Sequence, residues 1–396
     1  LFNTSSYINK AEMIFDQYRS PEGVMINYSV FECNSADEYH LVITPAAGLS
    51  AQKQAASIFN AINNFILLNQ LANPVILFER FFTSDISNQI DEIAASFCHP
   101  SSRISIIQQP PTNGNKLLAW VYLINFHSGT ANAEICDKSR IMHHNGYSHI
   151  FTAGLISEQK ADSFQQSLEL FRSYIDFLEK KEMRLKANCI RTWLYVRDID
   201  NNYPGMVKAR NSIFEEEGLS HTTHYIASTG IEGQTARGHS LVAMDAYALG
   251  GIEATQVRHL KALSHLSPTH DYGVAFERGT TIDYGDRRHI FISGTASINH
   301  KGQILHEKDI ALQTDRVFEN TEALLHEADA SLADVTSMIV YLRDISDTAF
   351  THEYLQRKYP HIPAVVVVAP ICRPGWLIEI ECTACKKTHN PVFRNF

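Results

Sequence analysis

A chain of 396 residues is long enough for two or three compact units around a large buried core. Its 43 acidic and 34 basic side chains leave a net charge of −9, which argues against a polyanion-binding surface and so against nucleic acid as a partner. Seven cysteines, an odd number without framework spacing, read as reduced thiols of a cytoplasmic protein.

No apolar run reaches the length of a membrane span, and Leu1-Phe2 opens no secretory signal. The 19 histidines include no metal spacing of the His-Glu-x-x-His kind. Neither a metal nor an organic cofactor is implied, and neither a membrane nor nucleic acid is an expected partner.

In chain order, one pattern comes round three times. Residues 40–49, His-Leu-Val-Ile-Thr-Pro-Ala-Ala-Gly-Leu, predict a strand ending in small residues. A helix over about 51–68 follows, with Ile58, Ile62, Phe65 and Ile66 at helical spacing. Ile76–Phe82 predict a second strand, and 117–126 a closing one.

The second copy runs through His149-Ile-Phe-Thr-Ala-Gly-Leu, a helix over about 161–181, the strand Trp193–Ile199 and a closing strand near 240–248. The third runs through His289-Ile-Phe-Ile-Ser-Gly-Thr, a helix over about 309–328, the strand Ile339–Ile345 and a closing strand near 376–384. Arg343 and Arg197 fall at matching positions, with Arg80 close to them, and all three read as structural. Segments 127–147 and 250–285 are rich in Gly, His and polar residues and read as linkers and extra strands. The expected architecture is α+β, with units over 1–130, 131–255 and 256–396.

The last strand singles itself out. In Leu377-Ile-Glu-Ile-Glu-Cys-Thr-Ala384 the carboxylates Glu379 and Glu381 alternate with apolar residues and share one face. A solvated edge strand would read this way, and so would a pocket that needs an acid. The copies decide between them. Glu381 lies over Asp245, but Glu379 lies over Ala243, and Leu117–Tyr122 hold no carboxylate. One copy with a unique acid points to one working site, and Glu379 is its candidate.

Phe291-Ile-Ser-Gly-Thr-Ala-Ser-Ile298, Asp309, Gln313, Asn320 and Ile378–Ala384 resemble the RidA (YjgF) superfamily. The resemblance implies three RidA/YjgF-like (chorismate-mutase-like) units folded as a single-chain pseudo-trimer, with binding sites in clefts between units. Further self-association is left open. The chain also resembles the chorismatases, which share the Ser-Gly-Thr-Ala-Ser-Ile string and a Cys-Arg-Pro run seven residues before a catalytic Glu, as Cys372 and Glu379 stand here. That likeness covers roughly residues 185–384.

Three departures qualify it. The imine-deaminating RidA proteins carry an Arg after Pro-Ala, where this chain reads Pro363-Ala364-Val365. A chorismatase Asn-x-Gly-Arg motif is replaced by Ser212–Glu216, and an Arg-Ser-Pro-x-Phe run by Tyr272–Phe276.

The resemblance implies a hydrolase that releases pyruvate from chorismate or a related cyclic enol ether carboxylate, with Glu379 as the general acid. Arg210, Arg278 and Arg373 are candidate holders of a small carboxylate metabolite, because the guanidinium fork matches a carboxylate. Tyr272, Cys372, Thr295 and Ser297 complete the candidate set. Enamine or imine deamination, and binding without turnover, are the competing readings. The superfamily's endoribonuclease label finds no electrostatic footprint in this acidic chain.

Overall fold

The computed structural model describes residues 13–33, 35–96, 104–127 and 132–396, with the Tyr272 side chain outside the described set. The first unit holds β1 (Met13–Arg19), β2 (Met25–Phe31), β3 (Ala36–Thr44), α1 (Ala51–Leu68), β4 (Pro74–Thr83), α2 (Ile86–Ala94), β5 (Ile104–Gln108) and β6 (Leu117–Phe126). The second holds β7 (Asn132–Cys136), β8 (Ser139–His144), β9 (Tyr147–Ile156), α3 (Ser163–Lys180), α4 (Leu185–Asn188), β10 (Cys189–Val196), α5 (Ile199–Glu216), β11 (Ala227–Glu232) and β12 (Val242–Gly250). The third holds β13 (Val257–Leu260), β14 (Gly279–Asp283), β15 (Arg287–Ala296), α6 (Ile310–Glu327), β16 (Val335–Leu342), α7 (Thr348–Lys358), β17 (Ala364–Val368) and β18 (Ile378–Lys387).

Each unit builds a six-stranded sheet of the same order, β1-β2-β3-β6-β4-β5, β7-β8-β9-β12-β10-β11 and β13-β14-β15-β18-β16-β17. The closing strand is therefore central in every sheet. Glu379 and Glu381 do not lie on a solvated edge, since β18 pairs with β15 on one side and β16 on the other.

Every closing strand is buried on both faces, and the period of two sorts its residues. Met244, Ala246 and Ala248 pack under Leu170, Phe171 and Tyr174 of α3, whereas Ala243 and Tyr247 join an interior shared by all three units. That interior collects Phe78 and Trp120 from the first unit, Phe151 and Trp193 from the second, and Phe291 and Ile339 from the third. The helices cover the outside of this pseudo-trimer.

One device recurs in all three units. Ser50, Asp162 and Asp309 cap the N-termini of α1, α3 and α6. Four residues on, a buried glutamine ties each helix to the start of its closing strand. Gln54 accepts from the Leu117 amide at 2.9 Å, Gln166 from Leu241 at 2.7 Å, and Gln313 from Leu377 at 2.9 Å. Asp309 and Gln313, which carry part of the family resemblance, thus serve the fold.

The ladders correct the sequence register in the first unit. Arg80, Trp193 and Ile339 occupy one position, opposite Trp120, Asp245 and Glu381. Ser84, not Arg80, matches Arg197 and Arg343, as each donates its amide to the residue before the closing strand. Likewise Glu38, not His40, stands level with His149 and His289. In a strand a slip of an even number of residues keeps the same face, so hydrophobic pattern alone could not reveal either shift.

The small-residue turns also differ. β9 and β15 each carry an irregularity at Ala153-Gly154 and Ser293-Gly294, but β3 runs straight and Gly48 lies beyond it in the turn before α1.

Candidate active site

Corresponding faces of neighbouring units meet at Arg80 and Asp245, at Trp193 and Glu381, and around Ile339 and Trp120. Beside the second of these contacts, between the second and third units, a cleft opens of about 550 Å³ including its mouth. The second unit supplies Tyr203 and Arg210 from α5 and Ser228, Thr229 and Gly230 from β11. The third supplies Phe276, Arg278, Gly294, Cys372, Arg373, Trp376 and Glu379.

The fold brings Glu379, Arg210, Arg278, Arg373 and Cys372 together. Arg210 and Arg278 are buried and lie over the Phe276 ring at 6.0 Å and 5.2 Å, while Arg373 lies 4.8 Å over Trp376. Arg278 also donates to the Ser267 carbonyl at 3.0 Å. Arg373 donates to the Gly302 carbonyl at 3.3 Å, and the aromatic planes help to hold all three guanidinium groups in the cleft wall.

Two predicted contacts are not made. Thr295 and Ser297 are fully buried, with hydroxyls turned to the Ser293 and Leu305 carbonyls at 2.9 Å each. They shape β15 and the turn after it, and they do not line the cleft. Tyr272 is placed only by its backbone, in the turn Thr269–Tyr272, and its side chain lies outside the described residues. Ser212–Glu216 continue α5, burying Ile213 and Phe214 in the second unit.

Burial pushes the Glu379 carboxyl up to about 8, with the Glu381 charge adding and Arg191 and Arg278 opposing. Glu381 itself is held by Arg191 at 2.8 Å and the Trp193 indole at 2.7 Å. A carboxyl raised in this way stays protonated near neutrality and can act as an acid. Burial also pushes the Cys372 thiol up to about 12, so thiolate chemistry there is disfavoured.

The β15 irregularity places Gly294 against the Glu379 carboxyl, and Ser293 fixes it. The Ser293 hydroxyl donates to the Glu277 carbonyl at 2.6 Å and accepts from the Ser228 amide at 2.9 Å and Arg191 at 3.3 Å. A Cβ at Gly294 would stand 2.0 Å from Glu379 Oε1. Gly294→Ala should therefore displace the carboxyl and lower turnover roughly 100-fold. Its thermal midpoint should change by only a few degrees, because the backbone conformation suits alanine; steady-state assay beside thermal unfolding checks both.

Sequence reasoning missed Tyr203, Gly294 and Arg191. Arg191 was within reach, since its counterparts in the other units, Phe78 and Ser337, are uncharged and it too is a cation confined to one copy. The departure at Val365 was also sought on the wrong strand. Val365 stands on β17 beside Ile339, whereas the equivalent position at the Glu379 cleft is Thr229 on β11, beside Trp193. Neither position carries an arginine.

Glu38, His289 and Cys385 form a further group of metal-ligand types among the described residues. The Arg287 guanidinium lies 2.7 Å from Glu38 and already supplies the positive charge there, and burial pushes the Cys385 thiol well up. The group does not fit a metal ion. Six cysteines among the described residues are free thiols.

Residues 280–386 match the family profile described as endoribonuclease L-PSP. A RutC family protein of Pyrococcus abyssi (strain GE5 / Orsay) is 36% identical over 100 residues, 25% of this chain and 79% of the relative. The chain belongs to the RidA (YjgF) superfamily. The 3-aminoacrylate deaminase RutC of Acinetobacter baylyi is 31% identical over 97 residues, 24% of this chain and 77% of that protein.

The family profile falls on the third unit, the one carrying Glu379. The likeness of the whole fold comes from a chorismatase crystal structure, with a TM-score of 0.63 over 89% of this chain and 100% of that one, at 15% identity. No helix among the described residues is long and apolar enough to cross a membrane.

Proposed function

We propose that the chain is a chorismatase-like hydrolase acting on chorismate or a related cyclic enol ether carboxylate. The observation that carries this reading is a buried, proton-holding Glu379 in a cleft with Arg210 and Arg278 beside it. The arginines take the substrate carboxylates. Glu379 gives its proton to the methylene carbon of the enol ether, which becomes a methyl group and leaves an oxocarbenium centre on the adjoining carbon. The resulting carboxylate stabilises that cation and takes a proton from the water that adds to it. The hemiketal so formed breaks its ring C–O–C link on the side-chain side, yielding pyruvate and a ring alcohol. One water is consumed and Glu379 ends as it began.

Deamination of a reactive enamine or imine is the second reading, favoured by the similarity to a 3-aminoacrylate deaminase. There Glu379 would orient the attacking water, but Thr229 offers no charge for a substrate carboxylate. Incubating the purified protein with chorismate and following pyruvate through lactate dehydrogenase distinguishes the readings. Pyruvate release is the expected result. Ammonia from an enamine with no pyruvate from chorismate would replace the first reading by the second. Neither product, with an aromatic carboxylate still bound, would leave a binding protein.

A further inference from the structure

We propose that Thr229 is a ligand-contacting hydrogen-bond donor, whose hydroxyl is left by its surroundings with nothing to offer the cleft except a proton. The inference rests on the cleft being a carboxylate site, and it names the atom type that Thr229 reads there. A threonine hydroxyl has one donor and two acceptor positions. Both acceptor positions of Thr229 are taken, by Arg191 Nη2 at 2.5 Å and by the Gly294 amide at 2.9 Å. Among the described residues nothing accepts from its O–H.

Ser293, on β15 of the third unit, is the contrast. It shares Arg191 as a partner but also donates to the Glu277 carbonyl, so it has no capacity left. Thr229 is buried and lines the cleft beside Glu379 and Gly294. Its Cγ2 and Glu379 Oε1 both crowd the space where a Gly294 side chain would begin, at 3.0 Å and 2.0 Å. The Thr229 side chain thus stands beside the Glu379 carboxyl in the cleft wall, and a ligand that reaches Glu379 comes within reach of it.

Such a hydroxyl selects an acceptor atom. Arg191, itself locked to Glu381, polarises it and makes it a stronger donor. A carboxylate oxygen of the ligand fits, whereas an ammonium group or a donor-only nitrogen would meet the wrong end of the dipole. The cleft would then hold its carboxylate through a neutral donor on β11 as well as through arginines, and the shared oxygen would set the distance from the ligand to Glu379.

The test uses the full chain and 3-hydroxybenzoate as a non-reacting probe, with calorimetry on wild type, Thr229→Ser and Thr229→Val. Serine keeps the donor and both acceptor positions, so its Kd should stay within about threefold of wild type. Valine should weaken binding roughly 10- to 100-fold, the loss expected for a hydrogen bond to a charged group. Valine binding like wild type, or wild type that ignores the probe, would overturn the proposal. Should the valine variant fail to fold, neutron diffraction of deuterated wild type decides, because the Thr229 deuteron must point into the cleft and not at a protein acceptor. Chorismate turnover is read separately. Probe binding with the predicted pattern but no pyruvate would retain the role of Thr229 and remove the hydrolase reading.

Discussion

Glu379→Gln should lower pyruvate release from chorismate by about 100- to 10,000-fold, the usual weight of a positioned general acid, while probe binding changes little. Glutamine keeps the shape and loses the transferable proton. The wild-type rate should fall as pH rises through about 8, because the protonated carboxyl is the working form, and the glutamine variant should show no such limb.

Stability carries the same signature. The folded-state value is raised from the ordinary 4.5 to about 8, so the folded protein binds the extra proton between those limits. The stabilisation from this group is complete below about 4.5 and is lost as pH rises towards 8, by about 1.4 kcal/mol per pH unit. Urea titrations across that window should show the decline in wild type and a flatter profile in Glu379→Gln. Equal slopes in both would place the acid's proton elsewhere.

Asp245→Ala should destabilise the protein by about 3–5 kcal/mol, the cost of leaving one member of a buried ion pair alone. Asp245 Oδ2 accepts from Arg80 Nη2 at 3.0 Å, the Ser105 hydroxyl at 2.6 Å and the Tyr195 hydroxyl at 3.0 Å. Its Oδ1 accepts from the Gly154 amide at 2.8 Å. Removing it joins no new partners and leaves Arg80, which is fully buried, with a distant Glu381 at 3.9 Å and the rings of Trp193 and Tyr195.

The double variant Arg80→Met, Asp245→Ala should recover part of that loss, since no charge then remains unpaired. Denaturant midpoints of the two single variants and the double variant test this directly. Additive losses would show that Arg80 and Asp245 do not act as a pair. The pair joins the first unit to the second at the position where Trp193 joins the second to the third, so the first unit contributes to the stability of the whole ring of contacts.

Much of this was legible from the chain. The three repeats are visible because each helix must turn one stripe inward and each closing strand must alternate, and those needs impose periods of 3.6 and 2 on the sequence. Glu379 was legible because burial makes an unmatched carboxylate costly, so an acid present in one copy and absent from the others requires a purpose. Asp245 and Glu381 recur for a related reason, each answering an arginine, Arg80 and Arg191, donated by the preceding unit.

The tertiary structure decided what period and composition leave degenerate. A slip of two or four residues along a strand preserves its faces, so only the ladders could separate Arg80 from Arg197 and Arg343, or set Glu38 level with His149 and His289. The partners of a buried hydroxyl are likewise invisible in sequence. Thr295 and Ser297 looked like the polar additions of a working site, yet their hydroxyls satisfy nearby carbonyls, while Thr229, on the neighbouring unit, lines the cleft with both acceptor positions of its hydroxyl taken. The sequence alone determined the repeat and its one exceptional acid, because these follow from burial and period along the chain; which side chains surround that acid was decided by contacts between units, which bring Arg210 and Thr229 of the second to Glu379 of the third.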